Sequence, residues 1–141
     1  MIDIFEEFAT DPVLEKRGAW FPIGKGTRLM IARGNNREFN KQIMKEVEAE
    51  KVILDREDDE AHDLSDKIRA RVMARTILLG WETTENGVTS ASIGFKGEVL
   101  PYTDTNAEKL LNVSDFRELV GNLSNKIDGY KYKQEKNQGN A

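Results

Sequence analysis

The chain has 141 residues, 25 acidic and 21 basic side chains for a formal charge of -4, and no cysteine. That length suits one domain with its own core, the charge excludes a global positive field for phosphate backbones, and the missing thiols exclude disulfides, a thiol nucleophile and cysteine-ligated zinc. No stretch nears the roughly 18 consecutive apolar residues of a membrane span, and the acidic start MIDIFEEFATD lacks a signal peptide's basic region, so an intracellular protein without membrane association is expected.

In chain order, Ile4, Phe5 and Phe8 suggest a short apolar contact or an amphipathic arm that Pro12 ends. From Gly18 the strings AWFPI, GKG and TRLMIAR read as two strands of a hairpin about a glycine turn, with Pro22 confined to an edge because it lacks a ladder donor. Asn35 or Asn36 caps a following helix whose Phe39, Ile43 and Val47 form one apolar stripe. The acidic stretch DREDDEAHD then marks a solvated hinge or helix start. Leu64, Ile68, Val72, Met73, Thr76, Ile77 and Leu79 predict a longer helix ending near Gly80, where glycine takes the left-handed C-terminal position and Trp81 folds back over the helices. Thr103 caps a short helix reaching Leu110 and Leu111. Ser114 caps another with Phe116, Leu119, Val120, Leu123 and Ile127.

The expected fold class is α+β, mainly α: a small N-terminal β-hairpin followed by a bundle of about four helices. Residues 1–128 form one domain with a variable connector at about 82–100, and 129–141 form a flexible tail that loses apolar periodicity.

Catalytic patterns are sparse. The single histidine, His62, lies near Asp58, Asp59 and Asp63 without zinc-ligand spacing. GKGT differs from a phosphate-binding loop because Gly26 separates Lys25 from Thr27 and the following residues read as extended. The acidic pairs in EVEAEK and DREDDE lie where solvent is expected, and no nucleophile with a positioned base is discernible. No catalytic, cofactor-binding or metal-binding residue is therefore assigned. Arg69, Arg71, Arg75 and the YKYK run offer phosphate or base contacts, but their acidic neighbours and the net charge argue against nucleic acid.

The connector carries Ile93, Phe95, Val99 and Leu100, more apolar character than a plain linker needs, and TSASIGFKGEVL suits short strands or a flap. Its outlet is either a protein partner or the domain's own core. Trp20, Phe21, Arg33, Trp81, Phe95, Tyr102 and Phe116 are the candidate protein-contact residues.

Five strings, EKRGAWFPI at 15–23, TRLMIARGNNREF at 27–39, ILLGWE at 77–82, and LPYTDTNAEKLL with DFRELV between 100 and 120, together resemble the tail assembly chaperones of long-tailed bacteriophages. Trp20, Arg33, Asn35, Trp81, Pro101 and Tyr102 mark that resemblance. It implies a non-enzymatic protein that keeps the tape measure protein soluble and helps bring tail tube subunits to it. The chain resembles the shorter product in a family where frameshifting sometimes adds a tube-recognising region. The resemblance further implies action in the host bacterial cytoplasm during virion assembly, absence from the mature virion, and apolar faces able to support a homo-oligomer. The insertion VTSASIGFKGEVL departs from the family's usual short polar connector. The alternative is a structural protein of the head-tail junction or tail end.

Overall fold

The computed structural model describes residues 1–132. Three two-residue turns organise its β-structure. Lys25-Gly26, Asn86-Gly87 and Lys96-Gly97 each carry positive φ at both residues, 52° and 76°, 51° and 78°, and 52° and 80°. These are the backbone settings of type I′ turns, whose twist matches that of paired strands. They join β1 (Ala19–Gly24) to β2 (Thr27–Ile31), β3 (Leu78–Glu85) to β4 (Val88–Ser90), and β5 (Ser92–Phe95) to β6 (Glu98–Pro101).

The first four strands form an antiparallel sheet in the order β1-β2-β3-β4, and β5-β6 forms a separate two-stranded ribbon. Pro22 lies on β1, an edge strand, as its missing N–H requires. Phe21, Leu29 and Trp81 are in one register row and point into the core.

The expectation of a hairpin at the N-terminus followed by helices is corrected at its start. Two short helices, α1 (Ile4–Phe8) and α2 (Pro12–Arg17), precede β1. Asp3 and Asp11 cap them by accepting from the backbone N–H groups of Glu6 and Val13. After the hairpin come α3 (Arg37–Ala49), α4 (Lys51–Leu54) and α5 (Asp59–Thr76), and after the ribbon α6 (Asp104–Leu111), α7 (Ser114–Ser124) and a 3-10 turn (Ile127–Tyr130). The result is mixed α/β and mostly helical, with a four-stranded sheet in place of a lone hairpin.

Asn36, Asp58 and Thr103 cap α3, α5 and α6 through their side-chain oxygens. The Ala61 backbone N–H, followed by the Arg56 guanidinium, holds the Asp58 carboxyl below the usual range. Ser114 is the first residue of α7 and makes no capping bond; Val113 occupies the cap.

The predicted long helix stops at Thr76, four residues before Gly80. Ile77 leaves helical geometry, and Leu78 to Trp81 belong to β3, paired with β2. Helical periodicity extended past this point because Ile77 and Leu79 are apolar, but the ladder offered by β2 outweighs that local pattern. Gly80 is therefore no helix cap. It faces Met30 across the ladder, where an added Cβ would lie 3.4 Å from that of Met30.

Helix α5 runs through the centre, burying Ile68, Ala70, Val72, Met73 and Ala74, with α3 and α6 packed on it. Tyr130, placed by sequence in a tail, is fully buried: its hydroxyl donates to the Ile31 carbonyl at 2.9 Å and its ring tilts against Phe21 at 5.7 Å. The rest of that segment, 133–141, lies outside the described residues.

Candidate partner-binding groove

Connector residues 82–100 fold as two hairpins, and both of their aromatic ends are fastened. Trp81 and Tyr102 meet edge to face with centroids 5.0 Å apart. The Trp81 indole N–H donates to the Leu100 carbonyl at 3.2 Å, and the Tyr102 hydroxyl donates to the Leu78 carbonyl at 2.8 Å. Burial, reinforced by the nearby Asp104 charge, pushes the Tyr102 phenol up to about 12. Between these anchors, the Thr83 hydroxyl donates to the Ser92 carbonyl at 2.8 Å, which ties the ribbon to β3.

The ribbon consequently stands over the end of the first hairpin. A groove of about 570 Å³ opens where the β1-β2 turn, strand β5 and the junction of α6 with α7 converge. Ile23, Ile93, Phe95, Leu110, Val113 and Phe116 supply its apolar lining. Lys25 lines it as well, while the ammonium groups of Lys96 and Lys109 stand 5.5 Å and 5.8 Å from the centre of the Phe95 ring. Such positions combine Coulombic and cation–π attraction and leave a positive rim around an apolar floor. Chemically, the groove suits the apolar face of a helix or strand flanked by acids.

The seven sequence-derived candidates do not share one surface. Phe95 and Phe116 both line the groove. Trp81, 1% exposed, and Phe21, 9% exposed, lie in the core. Tyr102 is half-buried behind Trp81. Trp20 is half-buried on the opposite sheet face, with the Arg28 guanidinium 4.1 Å over its ring. Arg33 lies 3.9 Å from Glu15 and 5.3 Å from the centre of the Tyr130 ring, with one terminal nitrogen buried and unpaired within the described residues.

Sequence reasoning missed Ile23, Ile93, Leu110 and Val113 as groove residues. The available signal was the pair of hairpin dipeptides: Asn-Gly and Lys-Gly between apolar or β-branched runs predict that the connector folds back on itself as hairpins, while the surface those hairpins meet is set by tertiary contacts. His62 is exposed, and no grouping of three or more His, Asp or Glu side chains suited to a metal occurs among the described residues. No helix among them is long and apolar enough to cross a membrane.

Comparison with curated proteins and with solved structures gave no significant match. Residues 34–140 match the family described as YdaY prophage protein, a span that includes β3 to α7 and the ribbon side of the groove. The match covers most of the chain, which therefore belongs to the YdaY prophage protein family.

Proposed function

We propose that this prophage protein is a non-enzymatic tail assembly chaperone that keeps the tape measure protein dispersed and promotes tail tube assembly around it. The observation that carries this reading is the apolar groove with its lysine rim. A long client with apolar helical faces aggregates through those faces, and a groove that takes one of them shields it from water in the helix-in-groove manner. Family membership and the resemblance to tail assembly chaperones support the same reading. It implies action in the host cytoplasm, departure before the virion matures, and, where a frameshifted extension is made, delivery of the tube protein by the added region.

Co-expression with the tape measure protein from the same prophage, followed by size-exclusion chromatography with light scattering, tests the proposal. Formation of a soluble complex that rescues the client supports it and counts the copies bound. An insoluble client, together with stable incorporation of this chain into purified particles, would instead identify a structural protein of the head-tail junction or tail end.

A further inference from the structure

We infer that the groove of one molecule takes the segment 1–9 of a second copy, giving a self-association that needs no client. That segment, MIDIFEEFA, has an exposed apolar side: Ile4 is 63%, Phe5 69% and Phe8 58% exposed, and α1 buries no residue. Among the described residues, Phe5 stacks on Tyr132 at 6.1 Å, and the backbone behind the segment is held where the Asp11 N–H donates to the Tyr130 carbonyl at 2.7 Å. An apolar surface of this kind on a stably folded protein marks a contact still to be made.

Charge complementarity selects the occupant. Segment 1–9 carries Asp3, Glu6 and Glu7 and no lysine or arginine. Lys25 lines the groove and Lys96 and Lys109 stand 5.5 Å and 5.8 Å from the centre of its Phe95 ring, and none of the three forms an ion pair within the described residues. Glu98, paired across the ribbon from Phe95, is the acid adjoining that ring in the ladder. The segment therefore offers aromatic side chains for an apolar floor and carboxylates for an ammonium rim.

In the folded chain, Phe5 stacked on Tyr132 holds the segment away from its own groove. Segment 1–9 adjoins Tyr132 and the Tyr130 end of the first hairpin, where Ala19 pairs with Ile31, whereas the groove adjoins the opposite, turn end at Lys25. The six residues of β1 separate them by about 17 Å of strand. The segment of one copy reaching the groove of another is a contact between two different surfaces, which builds closed rings or open chains unless two copies exchange segments reciprocally.

The test uses the full chain alone, in light scattering coupled to size-exclusion chromatography over a concentration series. A mass rising with concentration above the 16.0 kDa of one chain is expected. Phe5→Glu with Phe8→Glu should return it to one chain, with an unchanged circular dichroism spectrum because both side chains are exposed. Glu6→Lys with Glu7→Lys, and separately Lys96→Glu with Lys109→Glu, should each weaken association at least tenfold. Combining the two reversals should restore it. A single-chain mass at every concentration, association indifferent to the Phe5 and Phe8 changes, or failure of the combined reversal to restore it would overturn the inference. Because no client is present, these outcomes are independent of the tape measure reading; client rescue by a chain that stays monomeric would uphold that reading and sink this one.

Discussion

Trp81 joins two segments that are far apart in the chain. Its indole packs in the core row with Leu29, meets Tyr102 edge to face, and donates to the Leu100 carbonyl. Trp81→Ala should therefore lower stability by about 3–5 kcal/mol, measured by urea unfolding, because it leaves a cavity and an unpaired carbonyl together. The half-buried Tyr102 and the buried Tyr130 set a pH dependence. Burial raises the ionisation of both Tyr102 and Tyr130 above the ordinary value of 10.0, so the folded chain holds protons that the unfolded chain releases. Their contribution is complete below pH 10 and falls as pH rises toward the folded values. Unfolding titrations at pH 8 and pH 11 should show that loss, and Tyr102→Phe should reduce it. The sequence marked Trp81 and Tyr102 as a pair around a connector. Their direct contact was not legible there, because it depends on β3 and the ribbon lying side by side.

Among elements, the three hairpin turns use the same backbone settings but tolerate change differently. At Gly97 an added Cβ meets nothing within 4 Å, so Gly97→Ala costs only the left-handed conformation, about 1–2 kcal/mol. At Gly26 the same atom would collide with the Thr84 carbonyl, where β2 turns beside β3. Gly26→Ala should thus lower the melting temperature more than Gly97→Ala, and equal shifts would contradict the assigned packing. Asn36 combines two jobs: it accepts from the Phe39 N–H at 2.9 Å while its amide donates to the carbonyls of Arg33 and Thr76, at 2.9 Å and 3.0 Å. Asn36→Ala should cost about 2 kcal/mol in chemical unfolding, the upper end of capping losses, because the Thr76 bond also ties α3 to the end of α5. A cap at Asn35 or Asn36 was readable from the sequence through a short polar side chain before an apolar stripe, and the structure selects Asn36. The second bond was not, since its acceptor lies 40 residues away.

For the whole molecule, the segment after α7 acts as a closing strap. Tyr130 reaches back 99 residues to the Ile31 carbonyl, and at Gly129 an added Cβ would lie 2.5 Å from the Phe21 ring. A chain ended at Asp128 should melt well below the full chain in calorimetry, whereas Phe95→Ala should leave the fold nearly intact and reduce client retention in the groove. Composition, capping residues and helical periodicity by themselves determined that the chain is mixed α/β, placed the first hairpin, kept Pro22 at an edge, started α6 at Thr103, and narrowed the start of α3 to Asn35 or Asn36 and that of α5 to the acidic stretch DREDDEAHD, because each is a local preference expressed within a few residues. Only the tertiary structure decided that α5 yields to strand β3 after Thr76, that Tyr130 is core, and that Ile23, Phe95 and Phe116 share one groove. Those outcomes depend on hydrogen bonds and burial between residues distant in sequence, and such partners exist only once the chain has closed on itself.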